Sequence, residues 1–303
     1  MSELLLTGAY GFLGRIMKSS LHLHFRIRTL GQGELNDFQA DLANDVPKFD
    51  KRFDLVVHCA GKAHFIPKSE IEKREYFDVN LQGTKNLCYA LEKVGLPSSF
   101  IFMSTVAVYG IDKGVCISEE APLLARDPYG LSKILAEKFV EDWCEKHNVI
   151  CTIFRLPLVV GPNAPGNLGT MLRGLKKGYY FNIAGGKAHK SMVLASDVAQ
   201  CILKVHKIGG IYNLTDGHHP TIYKLSRTIS LQLGRKYVPN MPFLFSIFLA
   251  IVGDLLGDVF PLNTYKLNKI ISPLTFDDAK ARKAFGWNPN SVLLGFKISG
   301  TNL

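Results

Sequence analysis

Tyr-x-x-x-Lys places a phenol and an ammonium one helical turn apart, and the chain holds it four times, at Tyr89/Lys93, Tyr109/Lys113, Tyr129/Lys133 and Tyr265/Lys269. Context separates them. Only Tyr129 follows Asp127-Pro128 and begins a strongly amphipathic helical pattern, with Leu131, Leu135, Phe139 and Trp143 on one face. A four-residue step stacks Tyr129 and Lys133 on one side of a helix. Tyrosine holds its proton to about pH 10, so it works as a base near neutrality only if neighbouring positive charge lowers that value, which is the role expected of Lys133. Such a pair exchanges a proton with a substrate hydroxyl. A further hydroxyl must hold the substrate oxygen. The apolar run Phe100-Ile101-Phe102-Met103 ends in Ser104-Thr105, which supplies it at the ligand-binding edge of a strand.

These groups need a partner for redox chemistry, and the first residues provide its cradle. Leu4-Leu5-Leu6 runs into Thr7-Gly8-Ala9-Tyr10-Gly11-Phe12-Leu13-Gly14 and then a helical pattern. A strand turning tightly into a helix aims free N–H groups and the positive helix end at one point. Gly8 permits the turn, Gly11 lets the backbone approach a pyrophosphate, and Gly14 lets helix and strand pack.

Strand patterns at 3–7, 24–30, 38–40, 53–59, 99–104, 149–156 and 210–214 alternate with helical ones at 12–21, 79–94, 131–147 and 194–207. Alternation of this kind implies an α/β fold with a parallel sheet covered on both faces. Beyond Gly161 the pattern breaks into loops around a basic helix at 168–177, and it is irregular after Gly217. The expected division is a dinucleotide-binding domain at 1–160, to which 186–216 return, and a substrate-binding lobe from 161–185 and 217–303.

The chain has 303 residues, 47% hydrophobic, with a net charge of +10. That length buries a core without disulfides or metal, and no metal site is expected. Six scattered cysteines read as reduced thiols. With the first strand beginning at about Glu3, no room is left for a signal peptide, so the expected location is the cytoplasm. The cations read as spread along the chain without a nucleic-acid-binding signature, which favours a small anionic ligand over nucleic acid. The run Pro242 to Leu256 is densely apolar but too short to span a membrane. It is read as a buried helix of the small lobe, with peripheral contact to a membrane or partner as the alternative.

In order along the chain stand Thr7-Gly8-x-x-Gly11-x-x-Gly14, Asp41-Leu42, His58-Cys59-Ala60-Gly61, Asn80-x-x-Gly83-Thr84-x-Asn86, Ser104-Thr105-x-x-x-Tyr109-Gly110, Tyr129-x-x-x-Lys133 and Arg155-x-Pro157-x-x-x-Gly161-Pro162. This series resembles the extended short-chain dehydrogenase/reductase family, of the NAD-dependent epimerase/dehydratase type. The resemblance covers nearly the whole chain. It implies a doubly wound Rossmann sheet with a smaller C-terminal lobe, a cytoplasmic enzyme using NAD or NADP, and a nucleotide-sugar substrate. It makes Thr105, Tyr129 and Lys133 the catalytic set. It puts Gly8, Tyr10, Gly11, Phe12, Leu13, Gly14, Asp41, Leu42, Ala60, Gly61, Asn80, Ser104, Tyr129, Lys133 and Leu156 at the cofactor, Asp41 beside the adenine. Lys190, with Arg173 in support and Thr105 and Tyr129 at the sugar, would meet the substrate diphosphate. Lys176 and Lys177 share the helix of Arg173. A homodimer is left open.

Departures from the family pattern narrow the reading. Relatives that dehydrate at carbons 4 and 6 carry an Asp-Glu pair after the catalytic threonine, whereas Val106 and Ala107 stand here and cannot move protons. Leu158 replaces an asparagine found in some UDP-galactose epimerases. Gly31 stands where NAD-preferring relatives carry an acid, with Arg15 and Arg28 nearby, which favours NADP over NAD. Two enzymes fit: a 4-ketosugar reductase for surface polysaccharide synthesis, preferred for its match to NADPH, or a nucleotide-sugar 4-epimerase that retains its cofactor. A non-catalytic dinucleotide sensor is disfavoured by the intact catalytic set.

Overall fold

The computed structural model describes residues 1–63, 65–257, 260 and 262–298. In chain order the elements are β1 (Glu3–Thr7), α1 (Phe12–Leu21), β2 (Arg26–Gly31), β3 (Phe38–Gln39), β4 (Leu55–His58), α2 (Glu70–Phe77), a π-helical turn (Asp78–Gln82), α3 (Gly83–Val94), β5 (Ser99–Thr105), β6 (Gly114–Ile117), α4 (Pro128–His147), β7 (Ile150–Leu156), β8 (Leu158–Val160), α5 (Gly166–Lys177), β9 (Met192–Leu194), α6 (Ala195–Val205), β10 (Gly210–Asn213), α7 (Ile222–Gln232), α8 (Phe243–Leu256), α9 (Thr264–Ile271), β11 (Leu274–Phe276), α10 (Ala279–Phe285) and α11 (Val292–Gly295).

Seven parallel strands form the main sheet in the order β10-β7-β5-β4-β1-β2-β3. The chain starts in the middle, winds outward one way through β2 and β3, then returns for β4, β5, β7 and β10. This is the doubly wound topology, with its crevice where the order reverses beside β1. Because successive residues of a strand face opposite sides, Leu4, Leu6, Ile101, Met103 and Phe154 pack on one face under α1 and α6. Leu5, Val56, Phe100 and Phe102 pack on the other under α3 and α4.

Outside this body, β8 pairs with β9 and β6 with β11. A third cluster joins α5, α7 and α11 through Leu168, Leu175, Leu225, Ile229 and Val292. The stretch after Gly217, expected to be irregular, is largely helical: α9, α10 and α11 are too short to show a period, and α8 is apolar almost throughout. Ala281, Phe285 and Trp287 pack in the core of the main sheet, although they fall within the stretch assigned to the lobe.

Two helices bury faces the sequence does not suggest. In α4 the buried residues are Gly130, Ser132, Lys133, Ala136, Glu137, Val140, Trp143 and Cys144, while Leu135 is exposed. Apolar spacing misleads here because the polar groups are paired beneath the helix. In α8 the buried residues are Ser246, Ala250 and Gly253, and Phe243, Leu244, Phe245, Phe248, Ile251, Leu255 and Leu256 are exposed. The expected buried helix is therefore present as a helix but not buried. Gly253 lies so close to the backbone of Leu262 that a Cβ there would fall 1.8 Å from its oxygen. Small residues on one face let α8 sit flush on its neighbours and turn its large residues outward.

Candidate active site

Gly8 has φ +65°, and a Cβ on it would approach the amide nitrogen of Ala60 to 2.8 Å; at Gly14 a Cβ would lie 2.1 Å from the Gly8 oxygen. Both positions thus exclude side chains, for turn geometry and for close packing. α1 begins at Gly11 with no side-chain cap and no acid in its first turn. Its first N–H groups remain available to a pyrophosphate. Tyr10 and Leu13 pack against the core, and Tyr10 donates to the Leu35 carbonyl at 2.5 Å, folding the loop after β2 over the cradle. Phe12 meets Gly161, where a Cβ would stand 3.2 Å from the ring.

At the next strand, His58 is fully buried, and burial, aided by the charge of Lys133, drops its pKa to about 3. It is a neutral spacer. Its Nδ1 lies 2.6 Å from Thr7 Oγ1 and its Nε2 3.0 Å from Thr84 Oγ1. Thr84 gives its own proton to the Asn80 carbonyl, so Nε2 carries the imidazole hydrogen, and Thr7 donates to Nδ1 while accepting from the Ala60 amide. The chain ends at Asn80. Its Oδ1 accepts from Lys62 N at 2.8 Å, and its Nδ2 donates to Ser132 Oγ at 2.9 Å and Lys62 O at 3.1 Å. Asn80, expected at the cofactor, instead spends its amide clamping the loop after β4 onto α4. Gly61 beside it is bare: a Cβ there would lie 3.0 Å from Asn80 Oδ1 and 3.9 Å from Lys133 Nζ.

The catalytic candidates converge at the carboxyl end of β5. Thr105 ends that strand and its Oγ1 accepts from Ala107 N at 3.2 Å. Asp127 caps α4 by accepting from Gly130 N at 3.0 Å, with Pro128 at the first helical position. That start fixes Tyr129, whose phenol lies close enough to the Thr105 hydroxyl to feel it. Burial pushes the Tyr129 pKa up to about 12, against the smaller lowering by Thr105. Lys133 is not among the groups that move it, contrary to the expectation from sequence. The ammonium acts elsewhere: Lys133 Nζ sits 4.0 Å over the Phe102 ring, and burial lowers its pKa to about 8, opposed by Glu137. Among the described residues Lys133 Nζ makes no hydrogen bond. A donor held dry beside Gly61 fits the hydroxyls of a nicotinamide ribose, and the bare cradle fits the pyrophosphate, so these residues suit NAD(P).

Glu137, one further turn along α4, was not singled out in the sequence. Its carboxylate meets Arg155 Nη2 at 2.8 Å, and Ser104 hydrogen-bonds the same carboxylate. Arg155 also donates to the Tyr109 hydroxyl at 3.2 Å, and Tyr109 to Asn213 Oδ1 at 2.8 Å. Ser104, expected at the cofactor, thus points its hydroxyl into this cluster. Leu156, opposite Thr105 in register, is buried core. Tyr76 was also missed; its ring centroid lies 5.8 Å from that of Tyr129, carried by α2, whose Ser69-x-x-Glu72 start was a readable capping signal.

The remaining predicted residues are more dispersed. Asp41 follows β3, and hydrogen bonds from Gln32, Ala43 N and Asn44 hold its carboxyl below the usual range. Leu42 is buried and its carbonyl accepts from Asn86 at 2.8 Å. Lys190 Nζ donates to the Lys269 carbonyl at 3.0 Å, and burial lowers its pKa. Arg173 lies on the exposed side of α5, bonded to Thr170 at 3.1 Å, with no contact to Lys190 among the described residues. Arg28 forms a 3.0 Å ion pair with Asp37 and is not free for a 2′-phosphate.

The model of the NAD dependent epimerase/dehydratase family matches residues 4–215. The chain is 26% identical, over 93% of its length and 89% of the relative's, to the N-acetyl-alpha-D-glucosaminyl-diphospho-ditrans,octacis-undecaprenol 4-epimerase of Escherichia coli O157:H7. It is 25% identical to the UDP-glucose 4-epimerase of Vibrio cholerae, over 97% and 93% of the two chains. Among solved structures, RMD from Pseudomonas aeruginosa complexed with NADPH superposes with a TM-score of 0.75 at 20% identity, covering 97% of this chain and 95% of that one. With a family match over residues 4–215, more than half of its length, the chain belongs to the NAD dependent epimerase/dehydratase family.

Proposed function

We propose that this enzyme is a 4-epimerase of a sugar carried on a diphosphate. The observation that carries the reading is the Thr105 hydroxyl beside the Tyr129 phenol with Lys133 one turn on, at the carboxyl edge of the sheet beside the nucleotide cradle. Tyr129, as phenolate beside the positive ring of bound NAD(P), would take the proton of the carbon-4 hydroxyl as the hydride leaves and give it back to that oxygen as the hydride returns. The Thr105 hydroxyl holds that oxygen, and Lys133 anchors the ribose side. Bound NAD(P) supplies the hydride acceptor and donor. Val106 and Ala107 offer no acid or base for dehydration. The two relatives matched along nearly their whole length act on different carriers by name, a uridine nucleotide and a polyprenol, and share a sugar diphosphate. Lys190 is the candidate for that diphosphate.

A 4-ketosugar reductase using NADPH is the second reading, favoured by the absence of an acid at Gly31. Incubation with UDP-N-acetylglucosamine and UDP-glucose, followed by NMR, separates the two. Appearance of the C4 epimer with no net cofactor consumption supports the epimerase. No epimer, together with stoichiometric NADPH oxidation by a 4-keto sugar, replaces it with the reductase.

A further inference from the structure

We propose that α8 and the strand-like strip beside it form a docking face for an anionic phospholipid bilayer, independent of the turnover proposed above. A helix apolar on all sides is ordinarily buried. α8 buries its small residues and exposes its large ones, with Leu244 at 79% and Leu255 at 83% exposure. The apolar surface continues past the helix. Asn182 N donates to Pro239 O at 2.8 Å and Met241 N to Asn182 O at 2.8 Å, which aligns exposed Tyr179 and Phe181 with exposed Tyr237. Aromatic rings next to an apolar helix suit the interfacial depth of a membrane. No helix among the described residues is long and apolar enough to cross one, and the 14 residues of α8 suit lying in the plane.

Charge selects the occupant. Residues 1–160 hold 19 Lys and Arg against 20 Asp and Glu, whereas residues 161–303 hold 17 against 6. The positive excess is therefore not spread along the chain, as its sequence first suggests, but confined to the second part. Between Gly161 and Gly253 the only acids, Asp197 and Asp216, are buried, so the solvent-facing charge of that stretch is positive. Arg235 donates to the Lys176 carbonyl at 3.0 Å, gathering Lys176, Lys177, Arg235 and Lys236 at the edge of the apolar strip. Asp254 on α8 is occupied in capping α9, accepting from Thr264 N at 3.0 Å. A two-fold dimer through this face would set like charges against each other. An anionic bilayer answers both features at once. At the start of α8 a cavity of about 350 Å³ is lined by Phe243, Ile183, Ile270, Ile271 and Lys187.

The test is co-sedimentation of the full chain with phosphatidylcholine vesicles, with and without phosphatidylglycerol, at low and high salt. Binding is expected to vesicles containing phosphatidylglycerol and to weaken as salt rises. The double variant Phe245→Ser/Phe248→Ser should lower the partition coefficient at least about tenfold, with unchanged thermal unfolding. Absence of binding to either vesicle overturns the proposal. So does a wild-type dimer in analytical ultracentrifugation that the double variant converts to monomer, which would make a second copy the occupant of α8.

Discussion

Helices α4 and α8 break the same rule in opposite ways. α4 turns Lys133 and Glu137 inward and leaves Leu135 exposed; α8 turns Ser246 and Gly253 inward and leaves its phenylalanines and leucines exposed. In α4 the buried polar groups are answered one by one. Glu137 has Arg155 and Ser104, and Ser132 has Asn80, while Lys133 is the exception with a ring beneath it and no hydrogen bond among the described residues. A layer that is satisfied everywhere except at one ammonium is a layer built to meet a ligand there. In α8 the inside answers no polar need and only permits close approach, so the energy of its large side chains is not spent within the described fold. In α4 it is burial that costs free energy, and in α8 it is exposure.

The contrast breaks most visibly at Glu137. Glu137→Ala leaves the Arg155 guanidinium, itself only 4% exposed, without its counter-charge. Removing one partner of a buried pair costs about 3–5 kcal/mol, and chemical denaturation should read that loss. A loss under about 1 kcal/mol would mean that water replaces the carboxylate and that α4 is not a paired layer.

Tyr129→Phe keeps the ring against Tyr76 and removes only the phenolic proton. Turnover should fall roughly 100-fold or more, through kcat, with cofactor affinity nearly unchanged. Retention of more than about a tenth of the rate removes Tyr129 from the proton transfer.

The His58 end of the same layer gives a pH signature. Its folded pKa of about 3 lies below the ordinary 6.5, so the unfolded chain takes up the proton first as pH falls. The stabilisation is complete above pH 6.5 and is lost on descent toward 3, with a slope of at most about 1.4 kcal/mol per pH unit, or about 2 kcal/mol by pH 5. Urea midpoints measured from pH 7 to 5 should show it, and His58→Gln should flatten it.

In α8 the sensitivities invert. Gly253→Ala forces a methyl against the Leu262 carbonyl and should cost about 1–3 kcal/mol, whereas Leu255→Gln should stay within about 0.5 kcal/mol. If the exposed leucine proves the costlier change, α8 is covered in solution by the chain itself.

What could be read in the sequence follows from the same physics. Strands buried on both faces appear as unbroken apolar runs, so β1, β4, β5 and β7 and the glycine turn were legible. Thr105, Tyr129 and Lys133 could be found because each sits at the end of a strand or the start of a helix. The inner face of α4 was not legible, since Glu137 becomes an inside residue only through Arg155 on another element. Nor was the orientation of α8: periodicity is silent where nearly every residue is apolar, and the one signal was the spacing of Ser246, Ala250 and Gly253. The confinement of positive charge to residues 161–303 was countable and passed over.

Cofactor choice carries the smallest expected effect, and there a surface ion pair changes what the sequence suggests. Arg28 stands near the end of β2, but Asp37 holds it at 3.0 Å and raises its pKa further, so it has no reason to leave for a 2′-phosphate. Arg28→Ala should therefore change the ratio of NADP to NAD affinity by less than about twofold. Gly31 contributes no charge, and a side chain there would meet Asn36 Nδ2 at 3.1 Å, a neighbour on an exposed loop able to yield. Gly31→Asp adds the missing carboxylate and should move the preference toward NAD by up to about tenfold, as exposed charge contacts contribute about 1 kcal/mol each. Titration of both cofactors against the wild type and the two variants settles the point. If Arg28→Ala alone lowers NADP affinity tenfold, the Asp37 pair opens on binding and the NADPH-dependent reductase gains the stronger claim. If neither variant moves the ratio, the ribose is read by the backbone between Gly31 and Asn36, and the chain discriminates little between the two cofactors.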